Sequence, residues 1–219
     1  MSKDIILIDV LIQKLNDEFS WRRKELTLIK TNIPKIKNPT QSAMLRSALP
    51  LLYAHWEGFI KLSMSYYLEH VSMKYLKHSE LKTPFITLSL QNKLGDLETN
   101  SFINRTKIIE LLFTNFEKQS NIPKKNIINT KSNLRFDVLK EILYIVDLDD
   151  AYIDKQKELI DDLVDTRNHI AHGQYNPLDL NTFENFFDDI ISLMDYLKTK
   201  IENNAIEEKY KKNIVTSIA

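Results

Sequence analysis

Arg167 and His172 stand five residues apart in the stretch DTRNHIAHG, Asp165 to Gly173. An arginine keeps its proton at physiological pH, so among packing residues its head group needs an anion or water. A carboxylate of the protein would satisfy it, and so would a phosphate gripped by the planar fork. A histidine in the last turn of a helix lies at the negative end of the dipole, which favours the imidazolium. Asp161 and Asp165 push the same way. Such a group donates and accepts protons near neutral pH. A fixed cation and a proton-transfer group are two requirements for cleaving RNA without a metal. A base takes the proton of the 2′-hydroxyl, a cation stabilises the crowded phosphorane, and an acid protonates the leaving oxygen. One chain supplies one His172. Two copies meeting at this helix would supply two, which favours a symmetric dimer.

Each of these residues also has a plainer reading. Arg167 could be structural, salt-bridged to Glu57 or Asp161. His172 could be only a helix-end cation. Asp165, His169 and His172 share one side of the helix, and two histidines with a carboxylate can hold Zn²⁺ or Fe²⁺. No matching ligand pair is evident elsewhere in the chain, so the expectation is no metal and no cofactor. His55 falls on an apolar arc, where a hydrogen-bonded core histidine is the default and a place at the site is the alternative. Trp56, Phe59 and the neighbouring tyrosines read as core rather than as a base-stacking platform. Gly58, in mid-helix, permits a close contact.

The element that positions the pair is a predicted helix from Ile153 to His172. On a wheel of about 100° per residue, Ile160, Leu163, Val164, Ile170 and Ala171 form an apolar arc with Arg167 near its middle. Asp161, Asp165, Asn168 and His172 form a polar stripe beside it. Gly173 follows as a left-handed helix stop. Upstream, apolar spacing predicts a helix from Lys3 to about Ile33 and a second from about Gln41 to Lys77, which Pro50 should kink or divide. The region from Leu81 to Leu97 is weaker. INRTKIIELLFTNFE and RFDVLKEILYIV are helical, and a last helix runs from Thr182 to about Ile206. SNIPKKNIINTKSN reads as a loop with room for a short hairpin. The sum is roughly six helices without an evident linker, and the tail KYKKNIVTSIA is read as frayed.

Composition supports this pattern. The chain has 219 residues and only three glycines, which disfavours a sheet protein of this length. Thirty basic residues balance thirty acidic ones, so bulk charge cannot be the main grip on nucleic acid. Cysteine is absent, which removes disulfides and thiolate metal sites. IILIDVLI is too short and too acidic for a signal peptide, and no stretch is long enough to cross a bilayer, so a cytoplasmic location is expected. The approach to the motif is acidic: Asp147, Asp149, Asp150, Asp154, Glu158, Asp161, Asp162 and Asp165. That surface would repel an RNA backbone unless charge comes from elsewhere. WRRK, PKIK, PKKN and KYKK could supply it if they ring the motif helix.

RNHIAH, with Asn168 directly after the arginine, resembles the Arg-x4-His motif of the HEPN superfamily (higher eukaryotes and prokaryotes nucleotide-binding). LLYAHWEGFIK resembles the second helix of a prokaryotic HEPN-like nuclease subgroup, and NLRFDVLKEIL its segment before the motif helix. The resemblance touches roughly Gln41 to Leu197. It implies an all-α, up-and-down bundle of the HEPN type with additional helices, a single domain over residues 1–219. It implies a metal-independent endoribonuclease, with RNA as substrate and a composite site at a homodimer seam. Arg167 and His172 match the catalytic pair and Asn168 the polar residue that supports them. Glu57 matches an acidic residue on the earlier helix, while Asp165, His169 and His55 are supporting candidates. Such nucleases serve prokaryotic phage defence or toxin–antitoxin systems, some held by a neutralising or activating partner protein. The alternative is a non-catalytic module that binds nucleotide or RNA, or scaffolds a partner.

Overall fold

A computed structural model describes residues 3–95, 101–175 and 177–212. Among the described residues there are eight α-helices and no β-strand: α1 (Lys3–Asn32), α2 (Pro39–Ser72), α3 (Thr83–Leu94), α4 (Phe102–Asn115), α5 (Phe136–Ile145), α6 (Ala151–Asp154), α7 (Lys157–Ala171) and α8 (Leu180–Ile206). The expected all-α bundle is what the chain forms.

The bundle centre is made by α1, α2, α7 and α8. Leu11, Leu15, Phe19 and Leu26 recur on one face of α1, and all are buried, as helical periodicity requires. They meet Leu45, Leu49, Leu52, Trp56, Phe59 and Ile60 of α2 and Phe183, Ile190, Met194 and Leu197 of α8, one contiguous core. Each such side chain contributes about 1.5–3 kcal/mol by leaving water. Polar pairs set the directions. Lys14 reaches Glu69 at 2.7 Å, so the start of α1 lies by the end of α2. Lys30 reaches Asp188 and Lys35 reaches Glu184, so the end of α1 lies by the start of α8. Helix α1 is therefore antiparallel to both.

Caps mark where helices begin. Asn38 accepts from the Gln41 amide at 2.8 Å and Asp179 from the Thr182 amide at 2.8 Å, each satisfying a donor the helix leaves unpaired. Pro50 does not divide α2, which continues through it. Its lost N–H leaves the Arg46 carbonyl without its helical donor, and the buried residues on either side hold the rod together. Gly58 lets Arg22 approach: a Cβ there would lie 2.9 Å from Arg22 Nη1. That guanidinium is buried, paired to Glu18 at 3.0 Å and donating to the His55 carbonyl.

Four expectations are corrected. The single helix from Ile153 to His172 is two, α6 and α7. The amides of Lys155 and Gln156 bond three residues back, to Tyr152 and Ile153, which tightens the chain and breaks the ladder. The hairpin in SNIPKKNIINTKSN does not form. Ile122, Ile128 and Leu134 enter the core singly, and Asn126, Lys131 and Ser132 turn the chain with positive φ. The weak region after Leu81 contains a full helix, α3, started by Pro84 in its first turn. Beside it, α4 buries only Asn115 among its residues and leaves Phe102, Ile103, Ile109 and Phe113 exposed. An apolar cavity of about 400 Å³, lined by Ile86, Leu90, Leu94, Ile108, Leu112 and Phe116 among others, lies between the two. The expected fraying of KYKKNIVTSIA does not hold at its start, where Tyr210 is fully buried and its carbonyl accepts the Lys82 amide at 3.0 Å, while residues 213–219 lie outside the described residues.

Candidate active site

Helix α7 buries Ile160, Leu163 and Val164 against the bundle, so the same face carries Arg167 inward one turn later. Helix α2 receives it. The α7 guanidinium lies 3.9 Å from the centroid of the Tyr53 ring, a cation–π contact on a buried aromatic face. Its Nη2 donates to the Ser132 carbonyl at 3.3 Å and to Asn133 Oδ1 at 3.3 Å. Asn168 donates to the same Asn133 oxygen at 3.4 Å. Among the described residues Arg167 has no ion pair with a carboxylate, and its buried Nε has no hydrogen-bond partner.

The loop before α5 is shaped for this contact. Lys131 and Ser132 are both left-handed, at φ 54° and 53°, a conformation that costs about 1–2 kcal/mol per ordinary residue. The turn aims the Ser132 carbonyl and the Asn133 side chain at α7. Leu134 then donates its amide to Tyr53 Oη at 2.7 Å. Burial pushes the Tyr53 phenol above its ordinary value, with the Leu134 amide opposing the shift and Glu57 adding to it, so the phenol stays protonated.

The helix ends in a Schellman arrangement. Gln174 donates its amide to the His169 carbonyl and Gly173 donates to the Ile170 carbonyl, both at 3.0 Å. Gly173 has φ +73°, the left-handed stop expected of it. His172 is the cap residue and is exposed. Arg46 of α2 ties down the next segment, donating to the Gln174 carbonyl at 3.1 Å. Because Arg46 meets the chain just after α7, and Tyr53 meets Arg167 a turn earlier, α2 and α7 run antiparallel along this seam.

The remaining candidates divide. Asp165 forms a tight ion pair with Arg135, and Asp161 accepts from the Phe136 amide at 3.0 Å while pairing with Lys157 at 2.8 Å. His169 is exposed, with Nδ1 turned to the Asp165 carbonyl at 2.8 Å. Asp165, His169 and His172 therefore do not converge, and among the described residues no group of three His or acidic residues is placed to hold a metal. Glu57 is not the ion-pair partner of Arg167: the aromatic face of Tyr53 takes that place, and Glu57 Oε1 is buried without a hydrogen bond. His55 is not at the seam either. Two residues from Tyr53, it points to the other side of α2, against Trp21 and 3.2 Å from Glu25 on α1.

The acidic approach is largely neutralised. Asp147 pairs with Lys82, Asp149 and Asp154 with Lys140, and Asp150 with Lys200. The basic clusters also have local partners, Arg22 with Glu18, Lys35 with Glu184 and Lys211 with Glu208. Sequence reasoning missed Tyr53, Asn133 and Arg46. The available signal was the spacing of Arg46, Pro50, Tyr53 and Glu57, which puts all four on one face of α2.

Fold and seam together define an all-α bundle with a cation and an exposed imidazole where two antiparallel helices meet. A family model described as RiboL-PSP-HEPN matches residues 17–203, and the chain belongs to this HEPN family. Its class is that of nuclease or RNA-binding modules. The match spans both helices of the seam. No curated protein and no solved structure matches the chain. No helix among the described residues is long and apolar enough to cross a membrane.

Proposed function

We propose that the chain is a metal-independent endoribonuclease acting as a homodimer joined along α7. One observation carries the reading: Arg167 is held by an aromatic face, a carbonyl and an amide oxygen, with no ion pair to a carboxylate among the described residues, at the end of the helix where His172 is exposed. A phosphodiester is the anion that completes such a group.

In the reaction one His172 removes the proton of a ribose 2′-hydroxyl. The 2′-oxygen attacks the adjacent phosphorus, and Arg167 stabilises the charge that gathers on the non-bridging oxygens. The P–O5′ bond breaks, and the second copy's imidazole, entering protonated, gives its proton to the leaving oxygen. The products are a 2′,3′-cyclic phosphate and a free 5′-hydroxyl, with no water consumed. Asn168 steadies the loop amide that Arg167 also uses. Among the described residues His172 has no side-chain hydrogen bond, and we assign its orientation to the dimer contact. A prokaryotic defence or toxin–antitoxin setting, with a partner protein restraining the enzyme, accompanies this reading through the HEPN resemblance. The unoriented imidazole also favours a second reading, an RNA-binding module without catalysis.

Incubation with unstructured RNA in EDTA separates the two. Cyclic-phosphate ends are expected from the parent chain. His172→Ala should lower the rate by about 10²–10⁴-fold and Arg167→Ala by about 10²–10³-fold. Binding without cleavage by the parent and both variants alike would establish the module instead.

A further inference from the structure

Just past His172 the seam carries a second arrangement that the reaction above does not use. Tyr175 is 86% exposed, an unusual place for a large ring in a cap segment tied down by hydrogen bonds. The Arg46 guanidinium lies 5.8 Å from its centroid while donating to the Gln174 carbonyl. Among the described residues Arg46 has no carboxylate partner, and its buried Nη1 has no hydrogen bond. Arg46 Nη1, Glu57 Oε1 and Arg167 Nε are three of six side-chain atoms in that state among the described residues, and all three belong to this seam. Buried polar atoms without partners are uncommon and call for a cause. Among the described residues two arginines on one seam thus lack an ion-pair partner, with an open aromatic ring beside the second.

Resting on the ribonuclease reading, we propose that Tyr175 and Arg46 form a nucleotide subsite beside the scissile bond, in which an unpaired base stacks on Tyr175 and Arg46 takes the neighbouring phosphate. Tyr175 follows His172 by three positions, a reach of at most about 10 Å, so the base held belongs to a nucleotide next to the cleavage point. A base can meet that ring only when it is splayed from a helix, which selects single-stranded RNA, loops or bulges over duplex. The Gly173 turn and the Arg46 hydrogen bond fix the backbone up to Gln174, from which Tyr175 extends. Stacking also supplies affinity that a chain of zero net charge cannot draw from bulk attraction. Two phosphate contacts per strand predict that the log of the association constant falls with log salt with a slope of only about −1.4.

The test uses the cleavage-blocked His172→Ala chain and a short fluorescein-labelled unstructured oligoribonucleotide, read by anisotropy. Adding Tyr175→Ala should weaken binding by roughly five- to a hundredfold, the range of one base on one ring. Tyr175→Phe, which keeps the face, should bind like the parent. Arg46→Gln should weaken binding and remove about 0.7 from the salt slope. A blunt duplex of the same sequence should be insensitive to Tyr175→Ala. The subsite is overturned if Tyr175→Ala binds the single strand as tightly as its parent, or if alanine and phenylalanine lose affinity alike. In chains that retain His172, unchanged KM for Tyr175→Ala alongside normal parental cleavage sinks the subsite and leaves the ribonuclease standing. A parent that neither binds nor cuts any RNA removes both.

Discussion

Tyr53 acts through two separate parts of its side chain: its face carries Arg167 and its hydroxyl accepts the Leu134 amide. Substitutions can divide them. Tyr53→Phe keeps the face and strands a buried N–H, so urea titration should show a loss of about 1–3 kcal/mol with RNA cleavage near the parental rate. Tyr53→Leu removes both, and cleavage should fall at least about tenfold further, since a desolvated cation–π contact is worth about 2 kcal/mol. Equal activity in the two variants would show that the ring face does not position Arg167. The motif residues were legible in the sequence because they lie within one helical segment, where spacing reports geometry directly. Tyr53 and Asn133 were not, because they arrive from an earlier helix and a loop, and only the folded chain brings them to Arg167. For His55 the default reading as a core histidine holds and the alternative place at the site does not, because two residues from Tyr53 on a helix is the opposite face.

Among the elements, α7 shows how an ending can matter as much as a helix. Gly173 has φ +73° and no atom within 4 Å of where a Cβ would sit, so Gly173→Ala meets only backbone strain. A cost of about 1–2 kcal/mol should lower Tm by several degrees in a chain of this size, and Gly173→Asn should cost less because asparagine tolerates the left-handed region. If alanine leaves both Tm and RNA cleavage unchanged, the Schellman turn does not set the position of His172. Apolar periodicity made α1, α2, α5 and α8 readable, because each buries one face along its length. The break between α6 and α7 escaped it. Ile153 and Ile160 are both buried, two full turns apart, so a continuous helix and a broken one give the same spacing. The strained loop at Lys131 and Ser132 has no periodic signal at all.

For the molecule as a whole, α1 is held to α2 partly by two histidines that the fold keeps neutral. Burial lowers His55, opposed by Glu25 and aided by Arg22, and burial with Lys74 lowers His70. Unfolding restores the ordinary value near 6.5, so the unfolded chain binds more protons once pH drops below that value. Stability is therefore complete above it and declines as pH falls toward the lowered folded values. Urea midpoints at about pH 7.5 and 5.5 should differ in that direction, and His55→Gln/His70→Gln should narrow the difference. No narrowing would place the acid sensitivity elsewhere. Charge at this scale is spent internally, the acidic approach to α7 being matched by Lys82, Lys140, Lys157, Lys200 and Arg135. Arg167, like Arg46, has no ion-pair partner among the described residues, and the neutral groups that hold it give the choice of buffer a chemical meaning. Sulfate and inorganic phosphate are small rivals for the same fork, so preparations made in either would look sluggish. Crystals grown from sulfate would mark the spot above the Tyr53 ring before any polymer had been added.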